Sequence, residues 1–261
     1  MAETSCQVDS SFYSMYDVKR GLRDLNGKGV LAGLTEIGDV LANTEAEDGT
    51  MTGPGNLIYR GIGINELANG FLSEGRFGFE ETAYLLLFGE LPDAEALGSF
   101  ERLLYSNRGL PNDFVQDSIL KLSSRDIMNA MAQSLLSLYT LDDNPDAIDI
   151  PNVLRQCLRL IAVFPLLAAY CYRAYVYRHH GKTLVLREPS SDLPTAAYFL
   201  NILRKNGHYT PLEAQLLDLA LVLHAEHGGG NNSSFTTHVV TSTGTDTYAA
   251  ITAALCALKG P

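Results

Sequence analysis

Residues 211–261 read PLEAQLLDLALVLHAEHGGGNNSSFTTHVVTSTGTDTYAAITAALCALKGP, and this run decides how the chain is built. Thr210 is placed to N-cap a helix, with Pro211 at the first helical position and Glu213 where a capping box needs its carboxylate. Leu212, Leu216, Leu219, Ala220 and Leu223 recur at helical spacings and define an apolar stripe. The pattern predicts a helix over 211–227 that delivers His224 and His227 in its last turn, ended by Gly228, Gly229 and Gly230 through positive φ. A helix C-terminus favours a cationic imidazole by ~0.3–1 kcal/mol, which makes His227 a candidate donor to an anion. Asn231, Asn232, Ser233 and Ser234 add caps and free N–H groups at the start of the next helix. Together they predict a small carboxylate site at His227.

Outward from this run the pattern stays helical. Helices are expected from Asn65, over 79–88 with Gly89 as terminator, from Pro92 to Tyr105, and from a Ser123/Asp126 capping box to Leu141. A long helix from Pro151 to Arg178 should bend at Pro165, and others should cover 193–205, 233–242 and 246–258. Val30–Leu34 and Leu57–Ile62 read as the strands of a small hairpin, with DGTMTGPGN between them as turn chemistry. The expected class is all-α and multi-helical, with a small N-terminal β-hairpin.

With 261 residues, 46% of them hydrophobic, the chain can bury a sizeable core. A net charge of −11 argues against non-specific nucleic-acid binding, and any anion site must work through local donors against that field. No N-terminal pattern resembles a signal peptide, and the apolar run 160–172 is short and flanked by Arg159 and Arg173, which argues against a membrane span. A soluble cytoplasmic protein is expected. The cysteines at 6, 157, 171 and 256 form no CxxC pair and are expected to be buried thiols.

Other motifs are weaker. Gly61-Ile62-Gly63 has Glu66 where a dinucleotide fingerprint needs its third glycine, so a structural turn is expected. Gly181-Lys182-Thr183 resembles the tail of a phosphate loop, but Val176 replaces the first glycine, and a helix C-cap is the simpler reading. Tyr170, Tyr172, Tyr175 and Tyr177, interleaved with Arg173, Arg178, His179, His180 and Lys182, could stack nucleotides but fit a packing helix better. His224 and His227 are three apart rather than the four of a zincin, and with His238 they lack a cysteine or supporting pattern for zinc, so no metal is expected.

The end of the chain, together with VKRGLRDLNGKGVLAGLTEIG, NLIYRGIGINELANGF, FGFEETAYLLLFGELP and NVLRQCLRLIAVFP in that order, resembles the citrate synthase family, more closely its bacterial members. The resemblance covers 17–261 and implies an incomplete citrate synthase-like large domain, preceded by a flexible segment over 1–16. It implies a transferase of the tricarboxylic acid cycle that condenses acetyl-CoA with oxaloacetate to citrate and CoA, with no tightly bound cofactor, acting as a homodimer. By resemblance His227 binds oxaloacetate and Asn231 lies in the same pocket. The family's first catalytic histidine follows shortly after the Gly-Pro matching Gly260-Pro261, and the second histidine, the aspartate base, the clamping arginines and most CoA contacts come later still. None of the catalytic residues is therefore expected within 1–261, and the chain alone is expected to be inactive. Two alternatives are a 2-methylcitrate synthase using propionyl-CoA and a non-catalytic helical module for dimerisation or dicarboxylate binding. The helix over 245–258, rich in Ala249, Ala250, Ala253, Ala254 and Ala257, suits close packing across a dimer interface or an internal core.

Overall fold

A computed structural model describes residues 9, 11–16, 19, 21–24, 26, 29–30, 35–45 and 51–260. Within the segment expected to be flexible, Ser11–Met15 forms a short helix (α1), and Asp9 Oδ1 accepts from the Ser11 N–H at 2.8 Å. The sheet is antiparallel, with Gly38–Glu45 (β1) beside Met51–Tyr59 (β2) and the two-residue Ile62–Gly63 (β3) on the other side of β2. This corrects the expected hairpin. The first strand begins at Gly38, residues 31–34 lie outside the described residues, and 51–56, read as a turn, belong to β2. Pairing with β1 overrides local turn propensity there. Pro54 fits because β3 reaches only Ile58 and Tyr59, so β2 has an open edge around the proline.

Arg60 and Gly61, at φ 48° and 84°, form the two-residue connection between paired Tyr59 and Ile62. Gly61 thus serves a tight turn, while Gly63, in β3, pairs with Ile58. The Arg60 guanidinium donates to Leu86 O at 3.0 and 3.2 Å, satisfying a carbonyl near a helix end. That helix, Phe79–Phe88 (α3), follows Ile64–Ser73 (α2), and it ends at Gly89 in the left-handed region as its sequence predicts. Ala94–Ser106 (α4) starts at an Asp93 cap.

Asn112–Phe114 (α5) runs directly into a π-helical turn over Val115–Leu120, a helical segment the sequence reading did not anticipate. Ile127–Ser137 (α6) is capped by Asp126 itself, whose carboxylate accepts from the Asn129 N–H at 2.9 Å, so Ser123 is not the cap; a 3₁₀ turn completes the stretch to Leu141. Ile150–His180 (α7) runs as one helix through Pro165, from an Asp149 cap to Gly181. By length and composition this helix could cross a membrane, but Val163, Leu166, Leu167, Ala169 and Cys171 are buried against protein, so its apolarity serves the core. Thr195–Leu203 (α8), Pro211–Leu223 (α9), Asn232–Thr241 (α10) and Thr247–Ala257 (α11) complete the chain.

The larger core joins α7 to Leu135, Leu138, Tyr198, Ile202 and Tyr248. A second core, Tyr59, Ile64, Leu67, Phe71, Leu85 and Val222, ties the sheet to α2, α3 and α9. Each such side chain contributes ~1.5–3 kcal/mol on burial, enough to fix the end of α9 against β2. Tyr248, Ala250 and Ala254 of α11 are buried, and α11 packs on α10 and α6, so at least one face of this alanine-rich helix is internal core. Cys171 is buried and Cys157 half-buried, but Cys256 is exposed near the end of α11, contrary to expectation; Cys6 lies outside the described residues.

Candidate functional site

The capping box of α9 is present: Thr210 Oγ1 accepts from the Glu213 N–H at 3.3 Å, and Glu213 Oε2 accepts from the Thr210 N–H at 2.7 Å. Its other end differs from expectation. The helix stops at Leu223 with His224 as C-cap, so His227 lies in an irregular turn rather than in a helical last turn. His224 is the histidine at the helix C-terminus, and its Nδ1 stands 2.7 Å from Ala220 O. Of the three glycines only Gly228 has positive φ, at 67°, and it shapes the turn after the helix has ended.

A buried tyrosine explains why the helix stops there. Tyr59 is 0% exposed; its hydroxyl donates to Val222 O at 2.9 Å, with Glu226 O at 3.3 Å as a second acceptor, and accepts from the Glu226 N–H at 3.2 Å. Carbonyl and amide groups that would otherwise continue the helix are thereby satisfied from β2. Burial pushes the phenol pKa up and keeps it a donor. On the far side of His227, Glu226 Oε1 accepts from the Gly228 N–H. Gly38 must be glycine beneath this turn, because a Cβ there would lie 2.5 Å from Glu226 Cγ. His227 is thus held between two anchored neighbours, with its own ring exposed.

Asn231 caps α10: its Oδ1 accepts from the Ser233 N–H at 2.9 Å and the Ser233 hydroxyl at 2.7 Å. With the oxygen so used, its amide NH₂ is the group able to donate to a ligand. His227, the three glycines and Asn231 line one open hollow of about 640 Å³. The rest of the wall is N-terminal and includes Arg23, Thr35, Gly38, Asp39 and Val40. The structure therefore unites His227 and Asn231, as the sequence predicts, and adds Tyr59, Glu226, Gly38, Arg23 and Asp39. No local periodicity points to these; Arg23 and Gly38 lie in the stretch 18–38, Tyr59 in 56–71 and Glu226 in 211–261, while Asp39 falls just outside all of them.

The other candidates do not join this site. The His224 and His227 rings stand edge to face, 5.9 Å between centroids, while His238 lies exposed in the last turn of α10. Among the described residues no group of three or more His, Cys, Asp or Glu is placed to share a metal. Gly181, at φ 61°, closes α7 as a C-cap. Tyr170 donates to Arg187 O at 2.8 Å and Arg173 to Val185 O at 3.1 Å, so these side chains secure the segment after α7 to the helix.

Comparison with known proteins gives one consistent answer. The family model described as citrate synthase, C-terminal domain, matches residues 24–261. Citrate synthase of Deinococcus radiodurans is 37% identical over 211 residues, 79% of this chain and 51% of that protein. The 2-methylcitrate synthase of Shewanella oneidensis is 30% identical over 208 residues, 78% of this chain and 50% of that protein. The crystal structure of citrate synthase from Pyrobaculum aerophilum superposes with a TM-score of 0.73 at 29% identity, covering 94% of this chain and 58% of that one. The chain spans about half the length of the curated relatives it matches.

Proposed function

The chain belongs to the citrate synthase family, and from that premise we propose that it carries the oxaloacetate end of a citrate synthase-type acyltransferase, a cytoplasmic homodimer of the tricarboxylic acid cycle with acetyl-CoA as co-substrate and no tightly bound cofactor. The observation that carries this reading is the exposed imidazole of His227 on the wall of a hollow it shares with Asn231 and the start of α10. An imidazole N–H, an amide NH₂ and the free N–H groups of a helix N-terminus are donors suited to a 2-oxo dicarboxylate.

In the condensation a base takes a proton from the acetyl methyl, the enol carbon adds to the ketone of oxaloacetate, and hydrolysis of the thioester releases citrate and CoA. Residues 1–261 would hold the ketone, with His227 donating toward its oxygen as charge develops there. By the family resemblance the base and the catalytic histidines are not expected among residues 1–261, and the proposal is that this chain binds the acceptor without condensing it. To test both statements, the purified chain is mixed with acetyl-CoA and oxaloacetate while free thiol is monitored, and His227 ring signals are followed by NMR as oxaloacetate is added. Shifted ring signals with no CoA release are expected. Unmoved signals remove the site assignment, and citrate-coupled CoA release removes the claim of inactivity. The relation to the Shewanella oneidensis enzyme supports 2-methylcitrate synthesis from propionyl-CoA as a second reading, separable by repeating the assay with propionyl-CoA and with the part of that relative that this chain does not match supplied.

A further inference from the structure

A slot of about 570 Å³ opens along α7 and shares no lining residue with the hollow at His227. Five helices wall it, α3, α7, α8, α9 and α11, through side chains such as Leu87, Phe164, Phe199, Leu217 and Ile251. All five are half-buried, so hydrocarbon faces the opening. The lining is aliphatic and aromatic apart from Thr195 and the Cys157 thiol. Along α7 the wall runs from Cys157 to Ala168, about 17 Å at 1.5 Å per residue, or three turns of a helix. The apolar surface continues past the rim: α9 buries Ala214, Asp218 and Val222, while Leu212 and Leu216 are 63% and 58% exposed and Leu217 and Leu221 line the slot. A helix apolar on most of its sides belongs inside a larger core than the described residues enclose.

We propose that this slot seats an α-helix of about three turns, apolar on the side it inserts, supplied by the part of a citrate synthase-family chain that residues 1–261 do not match. The occupant follows from length and shape. The 211 matched residues correspond to 51% of the Deinococcus radiodurans protein, so about half of such a chain is left to pack against this one. Helices pack by setting a row of side chains into a groove of this kind. A second copy of this chain fits it poorly: a two-fold contact centred on the slot sets hollow against hollow and leaves a void, at odds with the close packing of protein interiors. The assignment rests on family membership and not on the oxaloacetate reading.

The test co-expresses the tagged full chain with the unmatched part of the Deinococcus radiodurans protein and follows alkylation of Cys157, in the slot wall, by mass spectrometry. Burial pushes the Cys157 thiol up, so labelling is done at mildly alkaline pH. The two parts should purify together, and Cys157 should react about tenfold more slowly in the complex than in the chain alone, as for a slot filled about nine-tenths of the time. Leu217→Gln, which sets a polar group in the wall, should abolish co-purification. Ala168→Phe guards against a mere loss of fold: it adds apolar volume to the open slot, so cooperative unfolding should persist while co-purification is lost. Separate purification of the two wild-type parts overturns the proposal, as does a complex in which Cys157 stays fully reactive. Protection of Cys157 that arises in the chain alone and grows with its concentration also overturns it and assigns the slot to a second copy. The His227 titration with oxaloacetate stands or falls separately from all of these results.

Discussion

Tyr59 shows how one side chain can set a site it does not line. Its hydroxyl meets residues 163 and 167 positions away in the chain and anchors the turn that carries His227. Replacing it with Phe removes one donor and one acceptor from a fully buried position, which should cost ~1–3 kcal/mol in denaturant unfolding. The loss is local: hydrogen exchange at the amides of 224–228 should accelerate more than at α7, and equal acceleration everywhere would show that the hydroxyl contributes only to global stability. Gly78 illustrates the steric counterpart. A Cβ at this position would lie 2.3 Å from the Phe71 ring, so the close approach of α3 to α2 requires glycine.

At the scale of elements, the fold uses carboxylates of one helix to cap another. Asp218 of α9 accepts from the Gly78 N–H at 2.6 Å and the Phe79 N–H at 3.2 Å, and Glu80 of α3 accepts from the Thr195 N–H at 2.7 Å at the start of α8. Burial pushes the Asp218 pKa up to about 6 despite those two N–H donors. The folded state then holds a proton that the unfolded chain has released, so this carboxyl's contribution is full below about pH 4 and is lost as pH rises through about 6. The stability of the wild type relative to Asp218→Asn should fall over that window; a constant difference between the two unfolding curves would show that folding does not raise the pKa of this carboxyl. Asp142 behaves in the opposite sense. Burial alone would raise its pKa, but the Asn144 N–H, the Tyr248 hydroxyl, Arg155 and Gln156 all donate to it and lower it to about 2. Its contribution is present above about pH 4 and disappears as pH falls toward about 2. Asp142→Asn should cost ~1–3 kcal/mol at neutral pH and much less near the acid end, measured by urea titration at each pH.

For the whole molecule, the notable surface is an apolar cavity of about 570 Å³ along α7, bordered by Phe79, Phe164, Phe199, Leu217 and Ile251. The proposed homodimer should appear as a dimer in sedimentation equilibrium at micromolar chain concentration, and a single monomeric species across that range would remove the dimer from the reading. The position of α11 bears on the same point: Tyr248, Ala250 and Ala254 already face the interior, so a second chain would have to use what remains of that helix or another surface.

The sequence by itself determined the helical class, the family resemblance and most helix boundaries, because apolar periodicity, capping carboxylates and terminating glycines act within a few residues. The ends at Gly89 and Gly181 and the capping box at Thr210 are all of this local kind. It did not anticipate β1, read part of β2 as a turn and extended α9 to His227, since in each case a distant partner outweighs local preference. Only the tertiary structure decided that the turn holding His227 is pinned by Tyr59 and walled by Arg23 and Asp39. Those groups come together through packing of the second core between the sheet and α9, and contacts across so many residues leave no periodic trace in the chain.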